Sequence, residues 1–309
     1  MNEQTVQNDA SNLHTVLDWV RYAISRFTQA GIFYGHGTDN EWDEANSLVF
    51  QALNLPLNLP EKQHYVLLDS RVTDTEKTIL DNWINVRTFD QKPLPYISQQ
   101  AFFAGLPFYV DERVLIPRSP FAELLRDQFS QWLNESPNYI LDMCTGGGCI
   151  AIATALTFED AVVDAVDIDI DALDVASINI HEYQLDERVF PLRSDLFENL
   201  SGQKYDLIIS NPPYVDAVDM ADLPSEFEHE PELALAAGDD GLDLVEQILM
   251  QAPHYMNEKA WLFVEVGNSE VHFEARFPDL EVQWCEFKHG GSGVFAVDYQ
   301  TLSAYWDKA

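Results

Sequence analysis

Cysteine is scarce in this chain: Cys144, Cys149 and Cys285 are the only three in 309 residues. Three thiols cannot build a disulfide framework, and none sits in a CxxC pair. A reduced, cytoplasmic protein with small buried thiols is the expectation. No apolar run approaches the roughly eighteen residues that a transmembrane helix needs. The N-terminal segment MNEQTVQNDASN lacks the basic start and apolar stretch of a secretory signal. His229 and His289 have no partners at metal-ligand spacing, so no metal centre is expected. Positive charge is scarcest of all, with 17 Lys and Arg against 52 Asp and Glu and a formal net charge of -35. Such a surface repels phosphate backbones and gains nothing from counterion release, which argues against direct nucleic-acid binding. It should attract a basic partner, and faster at low salt. Solubility or salt tolerance without any partner would produce the same charge, and the charge alone fits both.

Hydrophobic residues make up 46% and aromatics 12%, enough for a sizeable core, and the length is comfortable for two domains. Residues 1–95 read as a helical, substrate-binding domain. Leu13, Val16, Leu17, Val20, Ile24 and Phe27 follow helical spacing, with Gly31 as a stop. A second stripe runs through Trp42, Ala45, Leu48, Val49 and Leu53. A third helix begins at Thr73, with Glu76 completing a capping box. Residues 91–100, QKPLPYISQQ, have linker composition, and residues 96–118 read as a hairpin linker, with turns near Gly105-Leu106-Pro107 and at Asp111-Glu112 and a strand through RVLIP. From 119 to 309 helix and strand alternate. Candidate strands are YILDM, AVVDAV, RVFPL, YDLIIS, WLFVEV, VQWCEF and GVFAVDY. That rhythm predicts a doubly wound, mostly parallel α/β sheet covered on both faces. Only KHGGS separates the last two strands, which makes them an antiparallel hairpin.

Where the first strand of this sheet should turn into a helix stands Asp142-Met143-Cys144-Thr145-Gly146-Gly147-Gly148-Cys149. Glycines there let backbone approach a ligand closely. Asp167 falls at the end of the second strand, where a carboxylate can accept both hydroxyls of a ribose. Gly146, Gly148 and Ala151 also fit a dinucleotide fingerprint, so a nicotinamide oxidoreductase stays open. Asp142 and Thr145 at the loop mouth favour a cationic, phosphate-free ligand such as S-adenosylmethionine. Asp195, after the third strand, could accept from an adenine amino group, with Leu196 covering the ring.

The fourth strand runs into Asn211-Pro212-Pro213-Tyr214. Two prolines fix two φ angles and remove two N–H donors, leaving a stiff loop that exposes carbonyl acceptors. An amide nitrogen is a poor nucleophile because its lone pair is delocalised. The Asn211 side-chain oxygen and the Pro212 carbonyl could grip its two hydrogens, with Tyr214 stacking on the amide plane. Methyl transfer would then depend on positioning and desolvation. Arg113 and Arg118 flank the hairpin and could hold substrate backbone or an internal carboxylate. HEPELAL reads as a lid or wall, and Glu265 and Gly267 as shaping the pocket.

On VLIPRSP, DMCTGGGCIA, AVDIDIDAL, SDLF, ISNPPY and HEPELALAAGDDGLDL, the chain resembles class I S-adenosylmethionine-dependent methyltransferases, and among them the HemK-related protein N5-glutamine methyltransferases. YGHGTDNEWDEA and FAGLPFYVDERVLIPRSPFAEL look like the PrmB branch, which acts on large-subunit ribosomal protein three. The release-factor branch usually continues the Ile-Pro-Arg motif differently. The resemblance implies a seven-stranded sheet with an antiparallel last strand and a helical N-terminal substrate domain. It also implies a basic ribosomal protein as partner, with Cys144, Thr145, Gly146, Gly147, Gly148, Asp167 and Leu196 on the cofactor and residues 211–214 on the substrate. Position 149 is Cys where a small residue is usual, and Leu196 stands where the other branch often has an aromatic. Release-factor methylation, DNA adenine N6-methylation and non-catalytic ribosome-assembly binding are the competing readings. A DNA enzyme would need phosphate contacts that so few cations could not supply.

Overall fold

The computed structural model describes residues 10–308 apart from Ser201, Asp239 and His289. The first nine residues and His289, read above, lie outside the described residues. The chain divides into two units: Met1–Gln100 with Pro224–His229, and Ala101–Leu223 with Glu230–Ala309.

The first unit is helical: α1 (Val16–Ala30), α2 (Glu41–Ala52), α3 (Glu61–Leu68), α4 (Asp74–Phe89) and α5 (Leu94–Ser98). Thr15 caps α1 in a box with Asp18, and Gly31 ends it at φ 67, a left-handed conformation suited to glycine. Thr73 and Glu76 form the expected box on α4. Along α1 the buried stripe is Val16, Trp19, Val20, Ala23 and Phe27, packed with Ala45, Leu48 and Val49 of α2 and Leu80 and Ile84 of α4. Trp42, expected in the second stripe, is 47% exposed. The stretch read as a linker contains α5, because Pro93 and Pro95 suit a first helical turn, where N–H donors go unused.

One buried cation organises this unit. Arg87 is 1% exposed. Its Nε lies 2.7 Å from Glu44, its Nη1 lies 3.4 Å from Glu226, and its Nη2 donates to the Phe33 carbonyl at 2.9 Å. Glu226 also accepts the Phe33 N–H at 2.7 Å, and Glu44 accepts the Thr38 hydroxyl at 2.6 Å. Segment Pro224–His229 is thus held in the first unit by charge. His229, for which no metal role was expected, bonds the Asp90 carbonyl at 2.8 Å.

The second unit opens with a hairpin, β1 (Gln100–Phe103) and β2 (Leu106–Tyr109). Its turn is Ala104-Gly105, both left-handed at φ 51 and 81, the geometry of a two-residue hairpin loop. Residues 113–117, expected as a strand, form none. The unit continues through α6 (Phe121–Arg126), β3 (Tyr139–Met143), α7 (Cys149–Thr157), β4 (Val162–Asp167), α8 (Ile170–Glu182), β5 (Val189–Arg193), β6 (Tyr205–Ser210) and α9 (Ala217–Asp222). It ends with α10 (Asp243–Gln251), β7 (Met256–Glu265), α11 (Glu270–Arg276), β8 (Gln283–Trp284), β9 (Val294–Asp298) and α12 (Tyr299–Trp306).

Seven strands form one sheet in the order β5-β4-β3-β6-β7-β9-β8. β4, β3, β6 and β7 pair in parallel, while β9 is antiparallel to both its neighbours, as the sequence predicts. Side chains alternate between two apolar cores. Ile140, Val163, Leu207 and Phe263 face α7 and α8, and Leu141, Val166, Ile208 and Leu262 face α10, α11 and α12. Burial on both faces explains why these strands read as continuous apolar runs.

Replacing Arg87 by Ala would leave Glu44 and Glu226 buried without their counter-charge. An Arg87→Ala variant is expected to lose on the order of 3 kcal/mol or more, seen as a lower urea midpoint for the first unfolding transition.

Candidate active site

β3 and β6 run side by side with Met143 opposite Ser210. β4 and β5 lie on one side of β3, and β6, β7 and β9 on the other. Strand order therefore reverses between β3 and β6, and a crevice opens beyond their carboxyl ends. The loops 144–148 and 211–214 both leave into it, tied at the root by the Ser210 hydroxyl, which donates to the Met143 carbonyl at 3.0 Å.

The glycine loop is held from beneath. Asp142, 1% exposed, accepts the Thr145 hydroxyl at 2.6 Å and the Ala151 N–H at 2.9 Å through one oxygen. Burial raises its pKa to about 7. Gly146 and Gly148 are left-handed at φ 54 and 79, and a Cβ at Gly148 would come within 3.1 Å of Ala176 on α8. Asp167 accepts the Gly146 N–H at 2.8 Å on one oxygen and the Asp169 N–H at 3.0 Å on the other. Its pKa is raised, chiefly by burial.

One cavity gathers Cys144, Thr145, Gly146, Gly147, Asp167, Asp195, Leu196, Asn211 and Pro213 on its wall. Asp142, Gly148, Pro212 and Tyr214 are not on that wall; Asp142 serves the loop's own hydroxyl and the first turn of α7. The side-chain oxygen of Asn211 is buried and has no hydrogen-bond partner among the described residues. Burial pushes the Cys144 and Cys149 thiols up, so neither is a ready thiolate.

Tyr214, expected to stack on a planar amide, has its hydroxyl on Glu265 at 3.0 Å and its carbonyl on the Ser269 hydroxyl at 3.2 Å. Its ring lies on the backbone of Gly267, which is left-handed at φ 49. Burial raises the Tyr214 phenol. Glu265 also accepts the Ser119 hydroxyl, at 2.5 Å. Burial lifts the Glu265 carboxyl to about 7, opposed by these two hydroxyl bonds.

Both arginines on the wall are tied to internal carboxylates, the second of the two roles considered for them. Arg113 binds Asp111 at 2.6 Å and holds it down at about 2. Arg118 grips both oxygens of buried Glu230 at 2.6 and 2.7 Å, and Glu230 also accepts the Ile116 N–H at 2.9 Å. Pro231, Leu233 and Ala234 of the HEPELAL segment form part of the wall. The acids left on the wall are Asp167, Asp169 and Asp195.

Sequence reading missed Asn179. It is 2% exposed on α8, donates to the Gly147 carbonyl at 2.9 Å, and clasps Tyr109 of β2 through N–H and carbonyl at 2.8 and 3.0 Å. It falls on the buried face of α8 with Ala172, Val175 and Ala176. An amide at an apolar helical position was the available signal.

A Cβ added at Gly267 would lie 2.4 Å from the Tyr214 ring. Gly267→Ala is expected to displace that ring and cost on the order of 2 kcal/mol, read as a lower thermal midpoint, whereas Tyr214→Phe keeps the ring seated and loses less.

Comparison with known proteins accords with this geometry. The family model for the methyltransferase small domain matches residues 122–268. The catalytic domain of hMettl16, crystallised with a MAT2A 3'UTR hairpin, shares the fold with a TM-score of 0.50 at 15% identity, over 82% of this chain and 91% of that one. The ribosomal protein uL3 glutamine methyltransferase of Francisella tularensis subsp. tularensis is 46% identical over 99% of this chain and 97% of its own. Its counterpart in Neisseria gonorrhoeae is 45% identical over 95% of this chain and 97% of its own. Identity at that level along nearly the whole length places the chain: it belongs to the ribosomal protein uL3 glutamine methyltransferase family.

Proposed function

We propose that this enzyme transfers a methyl group from S-adenosylmethionine to the side-chain amide nitrogen of a glutamine in ribosomal protein uL3. One observation carries the reading: the buried Asn211 oxygen lacks a partner and borders the same cavity as the glycine loop and Asp167. A buried acceptor without a donor is costly, and a substrate N–H is what it lacks.

The donor set suits S-adenosylmethionine. Residues 144–147 and Asp167 would hold its amino-acid and ribose parts, with Asp195 and Leu196 towards the adenine. The arginines on the wall are already neutralised by Asp111 and Glu230, so the open charge is acidic. Asp142 occupies the first turn of α7, where a dinucleotide pyrophosphate would otherwise sit. A cationic, phosphate-free ligand fits this wall and NAD does not. S-adenosylmethionine supplies, when bound, an electrophilic methyl on a sulfonium.

The chain's own residues prepare the nucleophile. Asn211 and the Pro212 carbonyl accept the two amide hydrogens, localising the nitrogen lone pair. Two prolines keep both acceptors fixed, so little reorganisation is needed at the moment of transfer. No strong base is required beforehand, because the nitrogen proton becomes acidic once the methyl is attached. The acidic surface, at formal net charge -35, favours encounter with a basic protein.

The test is incubation of uL3 with the protein and labelled S-adenosylmethionine, followed by intact-mass analysis. One added methyl on a glutamine is expected. Asn211→Ala should lower turnover by about a hundredfold while calorimetric cofactor binding persists, and Asp167→Ala should weaken that binding by about tenfold. Label found in a release factor or in DNA adenine instead of uL3, or full turnover by Asn211→Ala, overturns the reading.

A further inference from the structure

Glu265 ends β7, fixed in the sheet by pairing with Val294 of β9. It is 4% exposed, and both of its oxygens are engaged by hydroxyls, Ser119 on one and Tyr214 on the other. Arg118 is near enough to be felt by the carboxylate, yet it directs donors to Glu230 and the Ile116 carbonyl. A buried carboxyl held, among the described residues, by hydroxyl donors alone is an expensive way to finish a strand, since an apolar side chain would stabilise the core at no desolvation cost. What it obtains is a fixed Tyr214. The Tyr214 ring is seated on Gly267 and its carbonyl is held by Ser269, so its hydroxyl bond completes a three-point grip. That grip closes the loop that begins, three residues earlier, with the unpartnered Asn211 oxygen.

We infer that Glu265 is the positioning residue of the catalytic loop: anchored by Ser119, its carboxylate takes the Tyr214 hydroxyl and thereby aims the Asn211 and Pro212 acceptors. The inference rests on the proposed glutamine methylation for its kinetic readout. Glu265 touches neither substrate nor cofactor in this arrangement and acts through Tyr214. Ionised, it accepts from both hydroxyls at once. Protonated, one of its oxygens becomes a donor and the grip on Tyr214 loosens. The groups around it are Arg118, Tyr214, Glu230 beyond Tyr214, and Cys149 of α7 with its raised thiol; β9 presents apolar Val294.

Turnover should therefore rise with pH through an apparent pKa of about 7. Glu265→Gln should remove that limb and hold turnover near the low-pH level at every pH, about tenfold down at pH 8, with cofactor affinity by calorimetry unchanged within about twofold. Tyr214→Phe should lose a similar factor. The double variant should be no slower than the worse single one, because both changes break one interaction. A substrate-free readout uses 3-fluorotyrosine incorporation. The fluorine resonance that Tyr214→Phe removes should shift as the pH passes about 7 and should stay still in Glu265→Gln. Full turnover in Glu265→Gln, losses that multiply in the double variant, cofactor affinity falling as far as turnover, or a resonance that moves identically in both proteins would each overturn the inference. If the unaltered protein fails to methylate uL3, the substrate reading falls while the fluorine titration still decides the role of Glu265.

Discussion

Everything at the candidate site depends on two parallel strands ending side by side where the sheet reverses direction. Met143 lies opposite Ser210, so the next residues of each chain, Cys144 and Asn211, leave the sheet at the same height. Among the parallel pairs of the described residues, this one alone combines adjacency with reversal. The strand ends are rigid because both faces of the sheet are apolar and covered, which places the two loops with the precision of a packed core. Each loop is then stiffened by its own chemistry. Asp142 and Asn179 bind the glycine loop from below and from the side, and the prolines with Tyr214 do the same for the second loop.

The electrostatics follow from how acids are distributed between structure and cavity. The charge count alone suggests an acidic surface, but the local arrangement is more selective. Arg113 and Arg118 reach the wall and would invite a phosphate if their donors were open; Asp111 and Glu230 take them. The helix end that commonly receives phosphate receives Asp142. What remains is a set of aspartates on a mostly apolar wall. This is a consistent preference for positive charge reached by three separate contacts, and it weighs against the nicotinamide alternative that glycine spacing by itself had left open.

Much of this was legible in the sequence because it depends on local signals. Apolar runs of strand length separated by helical stretches define a doubly wound sheet, and a short glycine turn defines its antiparallel end. The capping box at Thr73 and the Asn-Pro-Pro-Tyr turn are also local. Features that depend on contacts between distant residues were not legible. Helix α5 hides in a proline-rich stretch that looks like a linker. Residues 113–117 have strand composition but form no strand, and their backbone bonds to Asp111 and Glu230 instead. Arg87, Glu44 and Glu226 are separated by long stretches of chain, and nothing local marks them as one buried cluster. The two-part composition of the first unit, with Pro224–His229 returning to it, depends on that cluster.

Four carboxyls near the crevice show why residue type and position do not by themselves assign roles. Asp142, Asp167, Glu230 and Glu265 all sit at or near strand ends or loop mouths, where the sequence alone does not separate ligands from supports. Burial and partners divide them. Asp142 caps a helix, and Glu230 neutralises a guanidinium. Glu265 grips two hydroxyls. Asp167 borders the cavity, its two oxygens are fixed by the Gly146 and Asp169 N–H groups, and a carboxylate can accept about four hydrogen bonds in all. A ribose needs acceptors that are fixed and still able to accept, and of these four only Asp167 is both fixed by backbone donors and on the wall. The division of labour among the four thus follows from hydrogen-bond capacity, and the neutral Asn211 oxygen is the acceptor that the proposed reaction assigns to the substrate amide.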